Sequence, residues 1–360
     1  MADKPIKGRG AASNREGRFE SVQVEGIDDG WATPELEEAF ASGRPATTVT
    51  EERARTILSH NDSPDIPFDL SLNAYRGCEH GCVYCFARPS HGYLNLSAGL
   101  DFETRLFAKT NAAEQLRSEL GKSGYRVSPI NLGANTDPYQ PIERRYRLSR
   151  QVLEVLLETG HPCTIVTKNA GVERDLDLLV EMARRNLVFV AVSVTTLDNR
   201  LAAKLEPRAS APHRRLQAIA RLSAAGVATG VFAAPIIPAI NDRDLEGILE
   251  RGREAGARYA NYTLVRLPHE VKDLFREWLQ LHFPERATHV MNLIQDMRGG
   301  RDNDPRFGAR MRGEGAIAQM LHARFELARR RLGFVHRDQI ELDCGQFKPP
   351  RAPSPQGELF

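Results

Sequence analysis

Six short β-prone stretches recur along the chain, several of them apolar almost without interruption: Phe68–Tyr75, Ser128–Ala134, Pro162–Lys168, Leu187–Thr195, Val227–Ile237 and Arg258–Leu267. Val, Ile, Phe and Thr dominate them, and such side chains suit a pleated backbone. A continuous apolar run, rather than strict alternation, predicts strands covered on both faces, as in a parallel sheet. Between the runs the pattern changes to a helical repeat. Leu176, Leu179, Val180 and Ala183 fall at i, i+3, i+4 and i+7, and Leu245, Ile248, Leu249 and Gly252 repeat the spacing. Leu274, Phe275, Trp278 and Leu281 form another apolar face. Gly226 and Gly256 stand just beyond two helices, where a left-handed cap is wanted. Residues 313–332 read as one more long helix after the alternation ends. Strand and helix alternating about six times predict a wound α/β fold, either an open sheet or a barrel.

The ends of the chain lack this pattern. Residues 1–60 are rich in Gly, Ala, Ser and charge, which predicts a mostly disordered extension with short helices at Pro34–Ser42 and Glu51–Leu58. Lys348 to Phe360 holds four prolines in thirteen residues and should not pack as a core element. The division expected is an extension over 1–60, a barrel over 61–290, an Arg-rich helical part over 291–345 and a flexible tail over 346–360.

Composition narrows the class. Hydrophobic residues make up 41% of the 360 and charged residues 27%, which is ordinary for a globular chain. Mean hydropathy is −0.42. No apolar run approaches the roughly 18–20 residues that span a bilayer, so a membrane partner is not expected. Met1-Ala2-Asp3-Lys4-Pro5 has no apolar core, so no secretory signal is expected either. A net charge of +2 does not announce a nucleic-acid binder. Its distribution says more, because residues 297–331 hold nine Arg against four acids and form a candidate phosphate-facing surface for DNA or RNA. Three of the five cysteines crowd into eight positions, which points to a reducing, cytoplasmic compartment and a metal or redox role.

That cluster is Cys78-Glu79-His80-Gly81-Cys82-Val83-Tyr84-Cys85. Thiolates this close converge on one metal centre. Zinc would need a fourth ligand, for which His80 and His91 are candidates. Three thiolates alone suit an iron–sulfur cluster with one iron open. The other strand ends carry polar residues: Asn135-Thr136-Asp137, Thr167-Lys168-Asn169, Ser193-Val194-Thr195, Asn241-Asp242 and Arg266. A barrel places its chemistry there.

The CxxxCxxC spacing, with Tyr84 before the last cysteine, resembles the radical S-adenosylmethionine (SAM) superfamily. Thr136-Asp137-Pro138, Lys168 and Ser193 resemble the motifs of its spore photoproduct lyase branch. Arg88-Pro89-Ser90-His91 and Leu205-Glu206-Pro207-Arg208 resemble an uncharacterised bacterial subgroup of that branch. The resemblance covers about residues 60–345. It implies a partial (β/α)₆ barrel and a 4Fe-4S cluster on Cys78, Cys82 and Cys85. It also implies SAM on the open iron, a reductant such as flavodoxin or ferredoxin, and a 5′-deoxyadenosyl radical that abstracts hydrogen. By the same resemblance Lys168 pairs with the SAM carboxylate, Ser193 bonds its polar end, and Thr136 or Asp137 positions its ribose or methionine. One departure stands out: Leu132–Asp137 lacks the hydrogen-donating cysteine of spore photoproduct lyase, and Cys163 and Cys344 are the only spares.

Gln356-Gly357-Glu358-Leu359-Phe360 resembles the short peptides that dock on the bacterial sliding clamp. Gln356 would be the polar anchor, and Leu359 and Phe360 the apolar ones. Gly357 departs from the Leu preferred there.

Overall fold

The structure is a computed structural model that describes residues 4–15, 17–19 and 45–350. The Pro34–Ser42 helix and the Gln356, Leu359 and Phe360 anchors lie outside the described residues.

The strands are β1 (Thr48–Glu52), β2 (Leu58–His60), β3 (Leu70–Leu72), β4 (Tyr75–Arg76), β5 (Arg105–Lys109), β6 (Ile130–Leu132), β7 (Cys163–Thr167), β8 (Val188–Ser193), β9 (Ala228–Ile236) and β10 (Tyr259–Leu264). Seven form one sheet in the order β10-β9-β8-β7-β6-β3-β2. The six from β3 to β10 in that sheet run parallel, and only β2 is antiparallel. Each apolar run read from the sequence contains one of the six. All six residues of β8 are buried, as its continuous Val-Phe-Val-Ala-Val-Ser run predicts.

Helices cross between these strands. They are α1 (Ala112–Leu120), α2 (Leu148–Thr159), α3 (Leu176–Arg184), α4 (Asn199–Leu205), α5 (Pro212–Ala224) and α6 (Leu245–Glu254). After β10 come α7 (Val271–His282), α8 (Ala287–Asp296) and α9 (Gly315–Arg331). The α6 stripe is where the repeat puts it, with Leu245, Ile248, Leu249 and Gly252 all buried. Of the α3 stripe only Leu179 is buried, while Leu176, Val180 and Ala183 are half-buried against the core and Met182, outside the repeat, is buried beside them. Gly226 and Gly256 adopt φ of 86° and 94°. The six strands in sequential order, closed by crossover helices, make a partial (β/α)₆ barrel whose strand ends open on one mouth.

Glu51–Leu58 is not a helix. Thr48–Glu52 is instead a strand, parallel to β5, with Thr50 opposite Phe107. The β-branched Thr48-Val49-Thr50 favours that pairing. β4 completes the three-stranded sheet from the other side of β5 and delivers the chain to the cysteine loop.

Candidate active site

The loop after β4 turns sharply at Gly77 and Gly81, with φ of 75° and 66°. Gly81 N–H donates to Cys78 O at 3.4 Å, and Cys85 N–H to Cys82 O at 3.2 Å. Cys78 N–H donates to Phe102 O, and Val83 N–H to Leu205 O. A fully buried guanidinium ties the loop down: Arg88 Nε donates to Cys82 O at 2.9 Å and Nη1 to Ala98 O and Gly99 O. Its charge is paired with buried Glu103. Cys78 and Cys82 are buried, Cys85 is partly exposed, and all three are free thiols. Burial raises each of their pKa values.

The two histidines are engaged elsewhere. His91 Nε2 meets Arg105 O at 2.9 Å. Asn169 Oδ1 accepts from Gly171 N–H and Ser210 Oγ, which fixes its amide so that Nδ2 donates to His80 Nε2 at 3.2 Å. The His80 proton is then left on Nδ1, 3.4 Å from Asp137 Oδ2. Among the described residues, no three His, Cys, Asp or Glu side chains converge closely enough to hold a single metal ion. A cubane cluster binds each thiolate through a different iron, so its ligands stand around a volume rather than a point.

That volume exists. A cavity of about 740 Å³ opens at the strand ends, lined by Cys78, Cys82 and Cys85 together with Tyr84, Asp137, Lys168 and Ser193. Three free thiols beside a lysine and a serine, in a space this large, fit a cluster with a bound small molecule. Cys163 and Cys344 do not line the cavity. Cys163 is buried in β7, where desolvation pushes its thiol up to about 12; Cys344 is exposed.

The structure brings the sequence-predicted polar residues to this mouth and gives each a neighbourhood. The Asp137 side chain is largely withdrawn from water, which raises its pKa, yet the net shift is downward. Nearby His80 and hydrogen bonds from Lys168 N–H and Thr167 Oγ1, both at 2.7 Å, outweigh the burial. Asp137 therefore stitches the end of β6 to the end of β7 and to the cysteine loop. Thr136 Oγ1 donates to Tyr75 O at 3.3 Å. Ser193 is buried and lines the cavity, and its backbone carbonyl accepts from Arg215 Nη1 at 3.0 Å.

Lys168 Nζ sits 3.0 Å from Glu206 Oε1, 2.9 Å from Ala234 O and 3.2 Å from Thr195 Oγ1. Glu206 also pairs with fully buried Arg215 and accepts from the hydroxyls of Tyr84 and Thr195. Burial raises the Glu206 pKa, but Arg215 and Lys168, with those hydroxyls, hold it well below the usual carboxylate range. Sequence reasoning assigned roles to Lys168 and Ser193 but none to Glu206, Thr195 or Arg215. The Leu205-Glu206-Pro207-Arg208 motif was the available signal.

The Arg-rich segment is mostly committed to the fold. Arg298 is buried and donates to Val265 O and Ala309 O at 2.8 Å. Arg306 pairs with Asp304 and Glu314, Arg310 with Asp65, Arg324 with Glu246 and Arg331 with Glu250. The phosphate-facing surface expected of residues 297–331 is therefore largely spent on ion pairs. At the cavity wall itself stand Arg266, Arg312 and Arg337. Among the described residues none of the three has a carboxylate within ion-pair distance. Arg266 lies over the Phe86 ring at 5.2 Å, and its Nε is buried without a partner.

A sequential partial (β/α)₆ barrel with CxxxCxxC after its first parallel strand defines the class. The Radical SAM superfamily profile matches residues 72–252, and the chain belongs to that superfamily. An uncharacterized protein of Mycobacterium tuberculosis strain H37Rv is 38% identical over 232 residues, 64% of this chain and 68% of that protein. A Radical SAM Nalpha-GlyT isomerase of Pseudomonas phage M6 is 27% identical over 227 residues, 62% of this chain and 45% of its own length. Among solved structures, spore photoproduct lyase complexed with dinucleoside spore photoproduct superposes with a TM-score of 0.59. That match covers 86% of this chain and 85% of the lyase at 16% identity, a likeness of fold.

Proposed function

We propose that this protein is a radical SAM enzyme that acts on nucleic acid. The observation that supports the chemistry is the convergence of Cys78, Cys82 and Cys85 with Lys168 and Ser193 on one cavity at the strand ends. Cys78, Cys82 and Cys85 would hold a 4Fe-4S cluster, which would supply, with an electron from a reductant such as flavodoxin or ferredoxin, the reductive cleavage of SAM and with it radical abstraction of a substrate hydrogen atom. This chain's own residues bind and orient. The Lys168 ammonium, held by Glu206 and the Ala234 carbonyl, presents positive charge to the SAM carboxylate. Ser193 offers a hydroxyl, and Tyr84 closes the wall between two ligands. Thr136 and Asp137 hold the loop against which the ribose or methionine lies.

Arg266, Arg312 and Arg337, with exposed Phe86 and Phe307 beside them, support a nucleic-acid substrate. Guanidinium groups take phosphates, and aromatic rings stack on bases. The dinucleoside bound to the structural neighbour accords with this. Among the described residues no fourth thiol lines the cavity, so a cysteine-dependent repair step like that of spore photoproduct lyase would lack its hydrogen donor here. In this enzyme the chain would divide into barrel, Arg-rich extension and tail, and Gln356, Leu359 and Phe360 would serve as a docking peptide for the bacterial sliding clamp.

The test is anaerobic reconstitution with iron and sulfide, dithionite reduction and measurement of 5′-deoxyadenosine released from SAM. Release that is lost in Cys82→Ala supports the enzyme. A colourless protein holding one zinc and releasing none would overturn it.

A further inference from the structure

The N-terminal segment carries more structure than its Gly- and Ala-rich composition predicts. Gly10 N–H and Ala11 N–H donate to the two oxygens of Glu103 at 3.0 and 2.8 Å. Glu103 is the fully buried partner of Arg88, and Arg88 holds Cys82 O and the Ala98 and Gly99 carbonyls. Two backbone N–H groups, a buried carboxylate and a buried guanidinium thus form one chain of bonds ending on the cysteine loop.

The approach is too close for any side chain. A Cβ on Gly10 would lie 1.7 Å from Gly81 O and 3.2 Å from Val83 N, and a Cβ on Gly99 would lie 2.0 Å from Ser13 O. Further anchors fix both ends. Arg9 Nη1 donates to Glu103 O at 3.1 Å, and Nη2 to Pro45 O at 2.8 Å and Thr47 Oγ1 at 2.9 Å. Ser13 Oγ donates to Glu277 at 2.7 Å, and Leu100 N–H to Ser13 O at 3.2 Å. Ala11 is buried against Ala98 and Leu274. None of residues 9–13 lines the cavity. The segment therefore covers the face of the cysteine loop that the cavity does not reach.

We infer that Arg9–Ser13 is a strap that positions the Cys78–Cys85 loop and closes its outer face to water. Without it, the buried Glu103 carboxylate loses two donors, and a carboxylate left short of donors in an apolar setting draws water in or moves. Because Arg88 is held by the same carboxylate, that disturbance reaches the Cys82 carbonyl. The strap's value to the enzyme rests on the proposed cluster; its effect on the loop does not.

The experiment uses full-length protein and two variants. Gly10→Ala introduces the clash with Gly81 O, and Arg9→Ala removes the anchors without adding volume. Cluster-free protein is treated anaerobically with N-ethylmaleimide, and modification of each cysteine is followed by mass spectrometry. Cys78 and Cys82 line the cavity yet are buried in its wall, so the reagent reaches their sulfurs only when the loop shifts, and their modification should accelerate at least about tenfold in both variants as the loop loosens. Cys163, buried in β7, should stay as slow as in the parent. Unchanged rates at Cys78 and Cys82 in both variants overturn the strap. If Cys163 accelerates in Gly10→Ala, the fold as a whole has loosened and Arg9→Ala decides: no acceleration there overturns the proposal.

In a second arm the reconstituted proteins are exposed to air and their visible absorbance followed. Loss should be several-fold faster in the variants, and equal lifetimes count against shielding. A parent that takes up no iron would sink the cluster reading while leaving the alkylation result standing.

Discussion

At the residue scale the three cysteines and the Lys168–Glu206–Arg215 group make separable predictions. Replacing Cys78, Cys82 or Cys85 by Ala should abolish iron uptake on reconstitution, measured as bound iron per chain. Lys168→Ala should weaken SAM binding in calorimetry while iron content stays at the parent level, because Lys168 carries charge into the cavity but is not a thiolate. Glu206→Gln leaves two cations facing a neutral amide. Breaking a buried pair in this way costs about 3–5 kcal/mol, so the melting temperature should drop clearly. The pH dependence follows from the sign of the shift. The folded pKa of Glu206 lies below its ordinary value, so its contribution is full above about pH 4.5 and is lost as pH falls below that. Stability of the Gln variant should therefore fall less steeply than the parent's in that acid range. The cysteines were legible because their ligand set is local in sequence. Glu206 was not, because its partners Tyr84, Lys168, Thr195 and Arg215 come from four different parts of the chain.

At the element scale, periodicity identified the strands and helices that are buried on a whole face and missed those that are not. β5 has an exposed Arg105, partly exposed Phe107 and Lys109, and only Leu106 and Ala108 buried, so its five residues give too weak an alternation to stand out. α1 turns Glu114, Arg117 and Ser118 outward and buries Ala112, Leu116, Glu119 and Leu120, a stripe interrupted by a charge. Glu51–Leu58 read as a helix because the pairing that makes Thr48–Glu52 a strand is supplied by β5, far along the chain. The contact between α6 and β9 is a test of packing. A Cβ on Gly252 would stand 2.5 Å from Val231 Cγ1. Gly252→Ala should therefore destabilise the barrel by about 1–3 kcal/mol in denaturant unfolding, despite alanine's better helix propensity.

At the scale of the whole molecule, the arrangement of arginines decides where a nucleic acid would bind. Among the described residues no helix is long and apolar enough to cross a membrane. Arg298, Arg306, Arg324 and Arg331 are held by carbonyls or acids, so substituting them should change stability more than binding. Arg266, Arg312 and Arg337 stand together at the cavity. Changing all three to Gln should weaken binding of a single-stranded oligonucleotide and flatten its salt dependence. For three lost phosphate contacts the slope of log K against log salt should fall by about 2. An unchanged slope in a fluorescence titration would remove these arginines from the interface.

The six apolar runs, the helical stripes between them and the CxxxCxxC spacing were determined by sequence alone. Each is a short-range pattern whose period or ligand spacing is set by local backbone geometry. Only the tertiary structure decided which charges are free and which are consumed. Nine arginines in one segment look like a surface until folding brings Asp65, Glu246 and Glu250 to three of them. Gly10 looks like part of a loose tail until Glu103 and Gly81 close around it. Ion pairs and close backbone contacts join residues far apart in the chain, and their energy depends on burial that no local pattern contains.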